Sequence, residues 1–181
     1  MKIVLGITGA SGVIYGVRLL EELRENEVHL IISEAGKLIL KNETNYDLSK
    51  LENSCKSYKN NDLEAPPASG SFLFDAFVVC PCSANTLSKI ANGISDNLIT
   101  RIASVALKEK RELVLVLRET PLSQVHLENM LKLSKLGVCI LPAMPGFYHS
   151  PKTLDDLVDF VVGKILDFLG IENEKFRRWG R

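Results

Sequence analysis

A chain of 181 residues is long enough for one domain with a substantial core and too short for two comfortable ones. Its 22 Lys and Arg balance 22 Asp and Glu, which removes any overall field that would draw nucleic acid or a charged membrane surface. With 46% hydrophobic and 24% charged residues, and no apolar run near the ~20 residues of a membrane span, the composition is that of an ordinary soluble globular protein.

The first stretch, MKIVLGITG, starts a strand at once and lacks the basic, apolar and small-residue regions of a signal peptide, so a cytoplasmic location is expected. KIVLGI (2–7) runs into GITGASGVIYG (6–16), where Gly6, Gly9 and Gly12 are spaced three apart between a strand and a helix. Such a turn presents backbone N–H groups at the positive end of a helix, where an anion can sit. The spacing is not the dinucleotide pattern G-x-G-x-x-G, which alone would be weak evidence in any case. A helix is predicted from Val13 to Arg24, with Val13, Val17, Leu20 and Leu23 on one stripe. EVHLIIS (27–33) is a second strand ending at Ser33, and EAGKLILKNET is a helix. Residues 42–71 are the most polar and least periodic part and are expected to form a mobile or partner-covering loop.

DAFVVCPCS (75–83) reads as a buried strand, ANTLSKIANG as a helix capped by Gly93, and DNLITRIASVALKEK as a helix starting at Asp96 with basic residues at its end. RELVLVLRE is a continuous apolar strand of the kind buried on both faces of a parallel sheet. SQVHLENMLKLSKLG is a helix between Ser123 and Gly137, VCILPA a fifth strand, and TLDDLVDFVVGKILDFLG an amphipathic closing helix before a basic tail at 171–181. The alternation predicts one α/β domain over 1–181, a three-layer Rossmann- or flavodoxin-like fold with a mostly parallel sheet and helices on both faces.

Of the four cysteines, only Cys80 and Cys82 are close, and their C-x-C spacing lacks the second ligand pair of a zinc site. On a strand they would share one face, which suits buried reduced thiols. No metal is expected.

Ligands of such sheets bind outside the carboxyl ends of the strands. The residues predicted there are Thr8 to Gly12, Ser33, Ser83 to Thr86, Arg118 with Glu119, and Met144 to Tyr148. Small hydroxyls, amides at two helix N-termini and an arginine can hold a phosphate and hydrogen-bond a polar heterocycle. Singly, each has a structural explanation. Gly9 and Gly12 permit close packing, the serines are ordinary caps, Arg118–Glu119 is a surface pair, and the cations of 101–111 are a solvated helix face. Their joint placement is what points to a site.

The segments GITGASGVIYGVRLL, PCSANTLSKIANG, LKEKRELVLVLRETPLS and PGFYHSP resemble the UbiX-type flavin prenyltransferases over nearly the whole chain, most weakly at 42–62. PCSANTLSKIANG is the least specific, because phosphopantothenoylcysteine decarboxylases carry something similar. The resemblance implies transfer of a dimethylallyl group from dimethylallyl monophosphate to N5 and C6 of reduced FMN, without a metal. The product, prenylated FMN, would serve a separate UbiD-type decarboxylase. It further implies that Gly9, Ala10, Ser11, Ser33, Ser83, Ala84, Asn85, Thr86 and Arg118 hold FMN, and that Arg101, Lys108, Tyr148 and Lys164 bind the isoprenoid phosphate. Glu119, Ser11 and Glu43 would form the catalytic set, with Glu119 handling protons and Glu43 reaching in from a neighbouring subunit. The family assembles its site at subunit interfaces of a homo-oligomer, commonly a dodecamer. Many members have arginine at Lys164 and some have tryptophan at Leu63; lysine keeps the charge but loses the bidentate fork.

Two other readings use the same glycine turn. A phosphopantothenoylcysteine-type FMN decarboxylase would leave Lys108, Arg118–Glu119 and Tyr148 without a purpose. A non-catalytic flavin carrier would need FMN alone, whereas the sequence provides for two anions.

Overall fold

The computed structural model describes residues 1–180. Strands β1 (Lys2–Ile7), β2 (Glu27–Ile32), β3 (Lys56–Lys59), β4 (Ala76–Cys82), β5 (Glu112–Leu117) and β6 (Cys139–Ile140) form one sheet in the order β3-β2-β1-β4-β5-β6, every pair parallel. The strand order turns outward on either side of β1, so the crevice above β1 and β4 lies at the topological switch point.

Helices α1 (Val13–Glu22), α2 (Glu34–Glu43), α3 (Leu48–Asn53) and α7 (Leu154–Phe168) cover one face; α4 (Ala84–Ala91), α5 (Leu98–Glu109) and α6 (Gln124–Lys135) cover the other. The period-two pattern of the strands explains the two cores. Ile3, Leu5 and Ile7 of β1 pack with α1 and α7, whereas Val4 packs with α5; on β5, Val114 and Val116 face the first group and Leu113, Leu115 and Leu117 the second. Among the described residues no helix is long and apolar enough to cross a membrane.

Several boundaries differ from the sequence reading. Residues 42–71 are not one loop: they hold α3, capped by Asp47, whose carboxylate accepts from Ser49 and Lys50 N–H, and the edge strand β3. Strand β3 is short, largely exposed and begins and ends with lysine, so it lacks the apolar run by which a strand is recognised. Helix α5 starts at Leu98, two residues later than expected, with Asn97 as its cap. VCILPA forms a regular ladder only at Cys139–Ile140, although Leu141 and Ala143 N–H still reach the Leu115 and Leu117 carbonyls. Cys80 and Cys82 are both fully buried and unpaired, but they do not share a face. The ladder register shifts between Val79 and Cys82, which sends Cys80 into one core and Cys82 into the other. Burial pushes the Cys82 thiol up to about 12 and the Cys80 thiol upward as well, so neither is a ready nucleophile.

Candidate functional site

The ends of β1 and β4 are fastened by Thr8. Its hydroxyl donates to the Pro81 carbonyl at 2.8 Å and accepts from Ser83 N–H at 2.8 Å. The chain then turns at Gly9, where a side chain would collide with Ala35 of α2, so glycine here lets that helix approach the turn. At Gly12 the backbone is left-handed, with φ +90°, a conformation L side chains rarely adopt. Its N–H donates to a Glu43 carboxylate oxygen at 2.8 Å. Glu43 thus reaches the glycine turn of its own chain from the end of α2. Arg118 lies on the same turn, its Nε donating to the Ser11 carbonyl at 3.0 Å. Beneath it, Tyr15 has its phenol pushed up chiefly by burial and also by Cys80, against a lowering by Arg118.

Three helix N-termini converge beside this turn. Ser33 caps α2 by accepting from Gly36 N–H at 3.0 Å, and Ser83 caps α4 by accepting from Thr86 N–H at 3.2 Å. The preceding amides, Glu34 and Ala35 on α2 and Ala84 and Asn85 on α4, have no acceptor among the described residues. The start of α5 is closed instead. Asn60 takes Leu98 N–H on its carbonyl at 2.7 Å and Ile99 N–H on its side-chain oxygen at 3.1 Å, and Asn97 takes Thr100 N–H at 3.1 Å. Between the two open ends lies a cleft of about 420 Å³, lined by Thr8, Gly9, Ser33, Ser83 to Thr86, Lys89 and Glu119. Ala35, Asn60, Asn97 and Ile99 complete its wall. A wider recess of about 530 Å³ runs along the outside of α2, past Lys37, Leu38 and Tyr46, but it lies off the strand ends.

The cleft suits FMN by the chemistry of its donors: free helix amides for a phosphate or a heterocycle's carbonyl edge, and hydroxyl and amide side chains for its remaining polar atoms. Gly9, Ser33, Ser83, Ala84, Asn85 and Thr86 all line it, with Glu119 at the end of β5. Ala10, Ser11 and Arg118 sit at the adjoining turn, outside the cleft wall. Of the glycine turn's amides, Gly12 N–H holds Glu43 and Ala10 N–H the Thr8 carbonyl. Lys89, Asn60 and Asn97 escaped the sequence reading. Lys89 follows Asn85 and Thr86 by one helical turn, a signal that was present; Asn60 belongs to the segment read as a loop.

The four phosphate candidates are not brought together within the chain. Arg101 and Lys108 project from α5, Arg101 Nε donating to the Ala68 carbonyl at 3.0 Å and Lys108 Nζ lying 2.6 Å from Glu109. Lys164 stands on α7, on the opposite face of the sheet, 3.6 Å from Asp167. Tyr148 packs edge-on against Phe160 of α7, Phe176 and Trp179.

The chain matches the Flavoprotein family over residues 1–166. It is 53% identical to "Flavin prenyltransferase UbiX" of Methanocaldococcus jannaschii over 99% of both sequences. Its fold superposes with a TM-score of 0.97 on a dodecameric FMN-dependent UbiX-like decarboxylase from Escherichia coli O157:H7, at 46% identity over all of both chains. The same TM-score relates it to AnUbiX (PadA1) in complex with FMN and dimethylallyl pyrophosphate, at 42% identity over 99% of this chain and 97% of that one.

Proposed function

The chain belongs to the UbiX flavin prenyltransferases, FMN-binding transferases within the Flavoprotein family, and from that premise we propose that it joins a dimethylallyl group from dimethylallyl monophosphate to N5 and C6 of reduced FMN. The prenylated FMN would pass to a UbiD-type decarboxylase. The observation that carries this reading is the single cleft in which Ser33, Ser83 to Thr86 and Glu119 meet at two open helix N-termini.

Reduced FMN supplies the electron-rich nucleophile when bound. The residues of the chain do the rest. Loss of phosphate from the allylic carbon leaves positive charge on the five-carbon fragment and negative charge on the phosphate. Arg101, Lys108, Lys164 and the Tyr148 hydroxyl stabilise that phosphate, the task preorganised donors perform best. Since these side chains stand on opposite faces of the sheet, the phosphate is held where copies of the chain meet, in an assembly like the dodecamer of the E. coli relative. Bonding at N5 uses up the positive charge and leaves an alkene, so closing the ring at C6 needs one proton added to that alkene and one lost from C6; Glu119, half-buried at the end of β5, would carry this exchange. Glu43, fixed on Gly12 N–H, and Ser11, fixed through its carbonyl by Arg118, keep a carboxylate and a hydroxyl beside the same cleft.

The direct test is anaerobic incubation of the protein with chemically reduced FMN and dimethylallyl monophosphate, followed by mass spectrometry of the flavin. A flavin carrying one added five-carbon unit is expected. Recovery of unaltered FMN with intact dimethylallyl monophosphate would defeat the reading.

A further inference from the structure

Among the described residues lining the cleft, Lys89 is the one cation. It enters from α4 one turn beyond Asn85 and Thr86, and its ammonium lies 2.6 Å from Asp96. The two partners are not equally wet: the side chain of Lys89 is 27% exposed and that of Asp96 is 49% exposed. Asp96 also accepts from Asn97 Nδ2 at 2.9 Å on its other carboxylate oxygen. Solvent weakens the carboxylate's field more than the ammonium's, so the pair presents a net positive potential to the cleft. The open ends of α2 and α4 add to it. The opposing charge in the wall is Glu119; Arg118 and Glu43 are held at the neighbouring turn on Ser11 and Gly12.

We propose that Lys89 sets the charge state and reduction potential of flavin in this cleft by stabilising the anionic form of the reduced ring. The inference rests on the reading of the cleft as the FMN seat. Uptake of two electrons and one proton, the proton at N5, leaves one negative charge spread over N1 and the adjacent carbonyl. A second proton at N1 would cancel that charge. A cation on the cleft wall disfavours the second proton and offsets Glu119, keeping the ring electron-rich for attack on an allylic carbon.

Three variants of the full chain loaded with FMN test this. Lys89→Met removes the charge at similar length, Asp96→Asn removes its counter-charge, and Lys89→Arg keeps it. The readouts are the midpoint potential, from dithionite titration against a reference dye, and the pH dependence of the reduced-flavin absorbance, which follows the N1 proton. Lys89→Met is expected to disfavour the reduced form about tenfold, equivalent to roughly 30 mV lower for a two-electron couple, and to raise the pH at which N1 loses its proton. Asp96→Asn is expected to move both quantities the other way, and Lys89→Arg to stay near the unaltered protein. Loosened packing cannot give opposite signs in the two variants. Equal potentials in all of them, or shifts of the same sign for Lys89→Met and Asp96→Asn, would overturn the role of Lys89 while leaving the FMN seat intact. Failure of the unaltered protein to bind FMN would overturn both readings.

Discussion

The cleft above β1, β2 and β4 and the cations of α5 and α7 are built by different means. Every group of the cleft follows from the topology: parallel strands end on one side, the helices that follow them start there, and Thr8 locks the two central strand ends together. The cations sit on the two outer layers, with the sheet between them, and stay apart within the chain. Under the proposed function, one half of the chemistry is a property of the chain and the other a property of how copies meet. The two halves should fail in different ways.

The largest effect is expected at Glu119. Glu119→Gln should bind FMN nearly as before, because its bond to Thr120 N–H and the other cleft contacts survive an isosteric amide. Prenylation should slow by roughly 10²–10⁴-fold, the usual contribution of a proton relay. A time course of flavin prenylation with FMN occupancy followed by absorbance decides it; near-normal rates would remove Glu119 from the chemistry. Next come Lys108→Ala and Lys164→Ala, each expected to weaken turnover at low substrate by roughly 10- to 100-fold through loss of a charge-assisted contact. Unfolding the two variants together and refolding them as mixed assemblies should restore part of the activity, since some sites would then draw an intact lysine from each kind of copy. No restoration would mean that both lysines act from one chain, and the contrast drawn above would collapse.

A smaller change is expected at Leu73, an apolar side chain 73% exposed beside Phe72 and Phe74. Arg111 clamps this segment by donating to the Gly70 and Phe72 carbonyls at 2.7 and 2.6 Å while its guanidinium lies over the Phe74 ring. Like the exposed Met144 and Phe147 elsewhere on the chain, it is the kind of side chain that another copy covers. Leu73→Asp should reduce the assembly in light scattering and lower prenylation while FMN binding persists. An assembly of unchanged mass would place the interface elsewhere.

The smallest effect belongs to neither region. His29 is buried at the far end of the sheet, with Nδ1 2.9 Å from the Tyr58 hydroxyl and Nε2 3.1 Å from Glu27, near Lys2 and Lys56. Burial holds its ring below the usual histidine range, against the pull of Glu27. The unfolded chain then binds the proton more readily, so this contribution to stability is complete above pH ~6.5 and is lost as pH falls through the lower folded-state value. His29→Gln should flatten the decline of Tm between neutral and mildly acidic pH without altering flavin binding.

The strand ends were legible because buried parallel strands are continuous apolar runs, and glycine, serine and proline mark where each stops. Ser33, Ser83 and Glu119 could be collected from those signals alone. What stayed hidden depended on partners distant in sequence. Asn60 closes the start of α5 across 38 and 39 residues, and Glu43 turns back onto Gly12 across 31. Neither leaves a local pattern. The register shift at Pro81, which parts Cys80 from Cys82, likewise breaks the alternation on which strand reasoning relies.

The two margins of the sheet carry a last consequence. Strand β3 is four residues long with Lys56 and Lys59 at its ends, and β6 is two residues long and soon meets Pro142. Neither offers a row of unpaired backbone groups long enough for a second sheet to dock on. Growth by strand addition, the route to fibres and to domain-swapped ribbons, is therefore closed at both margins. Association of copies is then left to side chains of loops and helices rather than to extension of the sheet.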